Sequence, residues 1–204
     1  MRFFANTFPA TALVAALALG VAAQTANEVV KSVGLITQTT NNYNTQFKRV
    51  SASNMGHESD SVPDGINALT DLTTNQIIDV FLQVCRLTGP NAHATADLTA
   101  SFIFQDDTPT ALNSRDAADV VYLYQESVKA AQDLVATLLE DHDLFAEYAV
   151  AGRVTQSVRA YRVATMQYMG AIKGVAESRS DDIIGAFDGL AESLEEFIQL
   201  YEQS

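Results

Sequence analysis

The stretch Asp116–Leu138, DAADVVYLYQESVKAAQDLVATL, places Ala117, Val121, Tyr124, Val128, Ala131, Val135 and Leu138 at alternating steps of four and three residues. Such spacing gathers apolar side chains on one stripe of an α-helix and leaves the charged residues on the opposite face. The signature recurs upstream as Val29, Val33, Ile36, Thr40, Tyr43 and Phe47. It recurs downstream as Val154, Val158, Tyr161, Thr165, Tyr168, Ile172 and Val175, and again as Ile183, Phe187, Leu190, Leu194, Phe197 and Tyr201. Four such stripes have to bury their apolar sides against one another, so the pattern predicts an all-α fold. The expected architecture is an antiparallel helical bundle of about five helices, with a less regular segment between the second and third long helices.

Boundary signals divide these helices. Thr25-Ala26-Asn27-Glu28 has the spacing of a capping box, which starts helix one; it runs to about Val50. Ser51 to Asp64 reads as a linker closed by Pro63, and helix two follows, with a kink or split expected at a second capping box, Thr73 to Gln76. Gly89-Pro90 ends it. The apolar patch Leu98, Phe102, Ile103 and Phe104, between Asn91 and Asn113, reads as a short helix packed as a lid or as a β-like run. Helix three opens near Ser114 and continues to about Tyr148, a length that suggests a break near Asp141 to Asp143. Gly152 marks the corner into helix four, and Ser180 with Asp181 and Asp182 caps helix five.

Residues 1–23 carry one charge, Arg2, then an uncharged apolar run from Phe8 to Val21 that ends Val21-Ala22-Ala23. Small residues at that end fit signal-peptidase cleavage, and the run falls short of the ~20 residues that span a bilayer. The chain therefore reads as a signal peptide, 1–23, followed by a single bundle domain, 24–204, secreted and without a transmembrane anchor.

Charge and cysteine content narrow the function classes. Without Arg2 there are 11 basic against 25 acidic residues, a net of −14, which disfavours nucleic acid and anionic lipid as partners. With Cys85 alone no internal disulfide forms, so packing holds the fold; Cys85 sits beside Phe81 and Leu82 as a buried small hydrophobe or as an intermolecular bridge.

Catalytic chemistry has little to stand on. His57, His93 and His142 include no pair four apart on one helical face, which leaves a metal site without support. Glu140, Asp141 and Asp143, like Glu195 and Glu196, read as solvated charge, and the chain has no G-x-S-x-G, P-loop or Gly-rich dinucleotide turn. The expectation is a non-enzyme with no cofactor. What stands out is the seam chemistry: Thr40, Tyr43, Tyr124, Tyr161, Thr165, Tyr168 and Tyr201 occupy positions where a tight bundle takes Leu or Ile. These are rim or core side chains with satisfied hydroxyls, or they line an incompletely filled interior.

The opening pattern Val29-Val30-Lys31-Ser32-Val33 through Asn41-Asn42-Tyr43-Asn44, the scarcity of cysteine and the long Ala/Val/Leu helices ending in Ile183-Ile184 through Ile198 resemble the fungal hydrophobic surface-binding protein family, whose relatives include cell-wall galactomannoproteins. The resemblance covers most of residues 25–201, and the long Asn91–Asn113 segment departs from it. It implies a secreted, cell-wall-associated bundle that adsorbs to hydrophobic surfaces or holds a lipid, fatty-acyl or other apolar small molecule. The expected ligand-lining residues are Tyr124, Tyr161, Tyr168, Phe187 and Phe197. The alternative is an effector-like interaction protein that docks a helical face onto a host or cell-wall protein, with Phe102 to Phe104 as its exposed patch. N-terminal sequencing of secreted material is expected to begin at Gln24; a mature protein still carrying Phe3 and Phe4 would remove the export reading.

Overall fold

The computed structural model describes residues 26–87, 112 and 114–202; the side chains of 78–87 and of residues 26 and 57 fall outside that description. Seven α-helices follow in order: α1 (Ala26–Phe47), α2 (Met55–Glu58), α3 (Ser61–Leu87), α4 (Ser114–Glu140), α5 (His142–Glu147), α6 (Ala151–Val175) and α7 (Ser180–Glu202). A 3-10 turn, Glu177–Arg179, joins the last two. The described residues contain no strand, and the fold is an all-α bundle of five long helices.

The four stripes are its core. Every stripe residue is buried except Tyr43, which is half-buried and rests on Phe47 with ring centroids 5.8 Å apart. The fifth long helix, α3, adds Val62, Ile66, Leu69 and Ile77 to the same cluster. At ~25 cal/mol per Å² of apolar surface, burial of these faces is the main stabilising term.

Packing closes the five helices into a ring. α1 lies against α4, α4 against α7, α7 against α6, α6 against α3, and α3 returns to α1. Specific contacts set the directions. The Thr137 hydroxyl near the end of α4 donates to Asn44 Oδ1 near the end of α1 at 2.7 Å, so these two run parallel. Ser32 early in α1 meets Tyr168 late in α6 and is antiparallel to it. At one end of the bundle Arg153 pairs with Asp60 and donates to Ser59 O, while the Tyr148 hydroxyl donates to Ala52 O at 2.8 Å. Those contacts bring the start of α3 to the start of α6.

Several boundaries differ from the sequence reading. The 51–64 linker contains α2, and Pro63 does not close a gap but sits in the first turn of α3, where a missing amide proton costs no helical hydrogen bond. α3 does not split at Thr73: the Thr73 hydroxyl, expected as a cap, turns inward and donates to Leu69 O at 2.8 Å within a continuous helix. The capping box at Thr25, the Gly89-Pro90 stop and the Leu98–Phe104 patch lie outside the described residues, as does the side chain of Cys85. The break after Glu140 falls where helix length suggested it.

The corner into α6 is not at Gly152 but three residues earlier. Val150 N–H bonds Phe145 O at 3.0 Å and Ala149 N–H bonds Ala146 O at 3.2 Å, the pair of closing bonds of a Schellman motif. Val150 and Phe145, both buried, supply its apolar contact. Ala149 takes the left-handed position with φ 57°, a place that suits glycine, at a cost of roughly 1–2 kcal/mol for a residue with a Cβ. Gly152 lies within α6, and a Cβ there would meet nothing within 4 Å. Gly65 is the glycine the packing requires. A Cβ on it would come within 2.8 Å of both the Tyr43 and Phe47 rings, so α3 approaches α1 there at a distance no other residue allows.

Two substitutions of opposite sign follow. Ala149→Gly is expected to stabilise the protein by about 0.5–1 kcal/mol, a rise in Tm of a few degrees. Gly65→Ala is expected to destabilise it by about 1–3 kcal/mol despite alanine's better helix propensity, since the rings of Tyr43 and Phe47 must shift. Thermal melts by circular dichroism read both; an unchanged or higher Tm for Gly65→Ala would show that the α1–α3 contact is looser than described.

Candidate functional site

Side chains from all five long helices converge on the axis of the ring. α1 contributes Ile36, α3 Thr73, α4 Tyr124, Ser127, Val128 and Ala131, α6 Tyr161, Thr165 and Tyr168, and α7 Leu190. They surround a cavity of about 20 Å³, and all of them are buried. α6 supplies Tyr161, Thr165 and Tyr168 together because steps of four and three keep them on one face for two turns.

Three of the five expected ligand-lining residues meet there: Tyr124, Tyr161 and Tyr168. The Tyr124 and Tyr168 rings lie 6.5 Å apart with their planes tilted by 44°. Phe187 and Phe197 are buried on α7 but do not reach the cavity, where Leu190 represents their helix. Phe197 instead stacks on Tyr201 at 4.2 Å, with His142 edge-on to Tyr201 at 4.5 Å, toward the far end of the bundle.

The tyrosine hydroxyls find partners unevenly. Tyr168 Oη lies 3.0 Å from Ser32 Oγ. Tyr201 donates to Leu138 O at 3.1 Å. Thr165 donates to Tyr161 O and Arg162 O, both at 3.0 Å, and so keeps its oxygen lone pairs turned outward from its own backbone. Tyr161 is 2 % exposed, and Thr40 is its polar neighbour across the interface. Thr40 Oγ1 is buried and, on strict geometry, completes no hydrogen bond among the described residues, although it lies close enough to Tyr161 to favour the ionised phenol.

Burial dominates the electrostatics of this centre. It pushes the Tyr161 hydroxyl up to about 12, with Thr40 partly offsetting the rise. It pushes Tyr124 well above the ordinary phenol range, helped by the neighbouring Tyr168 and Tyr161, and raises Tyr168 against a smaller opposing effect of Ser32. Tyr201 is raised by burial and then by the charges of Asp141 and Asp143. A phenol held neutral this firmly donates or accepts a hydrogen bond; it is a poor base or nucleophile near neutral pH. Among the described residues no group of three or more His, Cys, Asp or Glu is placed to hold a metal ion, and no helix is long and apolar enough to cross a membrane.

Thr73 and Ser127 line the cavity and Ser32 reaches its Tyr168, and the stripes singled out none of the three. Ser32 and Ser127 border the stripe positions Val33 and Val128, and Thr73 lies on α3, which carries none of the four stripes.

No family profile, curated protein or solved structure matches this chain. The tyrosine centre does predict how the protein responds to alkali. For Tyr124, Tyr161, Tyr168 and Tyr201 the folded-state value lies above the unfolded one, so their contribution is fully present below pH ~10 and is lost as the pH rises through the folded values. Stability is expected to fall steeply above pH ~10, with the tyrosinate absorbance of these four residues appearing together with the loss of helical circular dichroism. Complete tyrosine titration at pH 11 with an intact helical signal would contradict the burial described here.

Proposed function

We propose that this protein is a secreted, non-enzymatic binding protein for apolar surfaces and lipid assemblies, and that it engages them by separating its helices rather than by holding a ligand in a preformed cavity. The observation that carries this reading is the axis itself: an interior assembled from five two-faced helices, hydroxyl-lined at its centre, with space for far less than an apolar ligand. Ligand pockets run to about 300–1,000 Å³, and the axial cavity is about 20 Å³.

The energetics favour opening at an interface. Unfolding a domain of this size costs on the order of 5–15 kcal/mol. At ~25 cal/mol per Å², offsetting about 10 kcal/mol takes roughly 400 Å² of apolar surface transferred from the core to the surface. A single long amphipathic helix lying flat supplies area of that order. The chain has one cysteine and therefore no internal disulfide to hold the ring shut. On this reading Tyr124, Tyr161, Tyr168, Phe187 and Phe197 are the inner-face residues that turn toward the apolar phase, and the tyrosine hydroxyls stay at its edge, where an amphipathic ring is at home.

A second reading, docking of one helical face onto a protein, draws on α6. Val163 and Met166, three apart, are 46 % and 49 % exposed on its outer side. The two readings separate in one experiment. Adsorption to octyl-coated beads and to phosphatidylcholine vesicles is measured by depletion from solution, at low and high salt. Surface binding predicts micromolar uptake that is insensitive to salt, retains helical circular dichroism and loses the near-ultraviolet tyrosine signal; Met166→Glu leaves it unchanged. Absence of uptake at tens of micromolar protein would defeat the surface reading, and uptake abolished by Met166→Glu with the tyrosine signal intact would transfer the role to the α6 face.

A further inference from the structure

We propose that the axial cavity is a specific site for one ordered water molecule, which bridges α3 and α6 at the centre of the ring. Two independent features carry the inference. The first is size and lining. A cavity of about 20 Å³ exceeds the ~10–15 Å³ that a single water needs, and is too small for anything larger. Apolar cavities of that size stay dry, but six of the residues that line this one bear hydroxyls: Thr73, Tyr124, Ser127, Tyr161, Thr165 and Tyr168. Thr73 and Thr165 have already committed their protons to helix carbonyls, Leu69 O at 2.8 Å and Tyr161 O at 3.0 Å, and can only accept. A water has the two protons that such acceptors lack.

The second feature is Thr40. Its Oγ1 is buried beside Tyr161, which lines the cavity, in a contact that falls short of full hydrogen-bond geometry. A water that accepts the Tyr161 proton leaves the Tyr161 oxygen free to accept from Thr40. The chain Thr40 to Tyr161 to water to Thr165 and Thr73 then gives each of these hydroxyls, and both water protons, a matched partner. The site is independent of apolar-surface binding, since it belongs to the closed bundle.

High-resolution crystallography of the full mature chain and oxygen-17 water relaxation dispersion together test it. Density for one water is expected between Tyr161, Thr165 and Thr73, along with long-lived water in solution. Val128→Ile, which extends one cavity-lining side chain by a methylene, is expected to remove one long-lived water while the protein melts normally. Should that variant fail to fold, Thr165→Val keeps the shape and deletes one acceptor, and the same loss of one water is expected. A dry cavity in crystals that show other buried waters, or an unchanged long-lived water count in a folded variant, would overturn the proposal.

Discussion

Desolvation of tyrosine hydroxyls is the constraint around which this bundle is arranged. Tyr124, Tyr161 and Tyr168 place three phenol groups near the axis of a ring whose other inner side chains are mostly Val, Ile, Leu and Ala. A buried hydroxyl without a partner costs more than a well-made hydrogen bond returns. The helices must therefore sit where Ser32 reaches Tyr168, Thr40 borders Tyr161, and Thr165 folds back on its own helix. Aliphatic cores tolerate small slips between helices; directional partners do not. Register along α1 is held at several levels by polar pairs, Ser32 with Tyr168 near one end and Asn44 with Thr137 near the other.

The same chemistry limits how tightly the centre closes. Tyrosine rings are large and rigid, and the threonine and serine positions beside them are small, so the inner surfaces do not interlock as leucine layers would. A small void remains where Ala131 and Ser127 face Thr165. Cohesion is greater toward the end of the bundle built by Phe47, Met55, Phe145 and Phe197, among the largest fully buried side chains, together with the Schellman corner at Ala149. Surface ion pairs such as Arg159 with Glu202 and Arg162 with Glu195 tie α6 to α7 but contribute little in water. The closed state thus depends chiefly on apolar burial with no covalent cross-link.

Periodicity alone determined much of this protein. The four-three steps identified α1, α4, α6 and α7 and the side that each buries, because a stripe that fails to face the core forfeits its stabilisation whatever its neighbours are. The break after Glu140 followed from length and charge. Local punctuation was less decisive. Pro63 and the Thr73 capping box each allow two structures, since proline fits a first helical turn as well as a linker, and a threonine hydroxyl satisfies itself on the carbonyl four residues back as readily as on a free amide. Gly152 was a plausible corner, yet the turn formed at Ala149 because the apolar pair Phe145 and Val150 gained more than left-handed alanine lost.

The site belongs to the tertiary structure. The sequence marked Tyr124, Tyr161 and Tyr168 as unusual inward residues, but which of them meet depends on the order of helices around the ring, and one helix's pattern does not encode its neighbour. Phe187 and Phe197 share a stripe with Leu190, yet only Leu190 reaches the cavity. Ser32, Thr73 and Ser127 acquired their place in the centre the same way. Amphipathic spacing determines that a side chain points inward; distance and partner are settled only when five helices, each tolerating several packings of its own stripe, find the arrangement that satisfies their hydroxyls together.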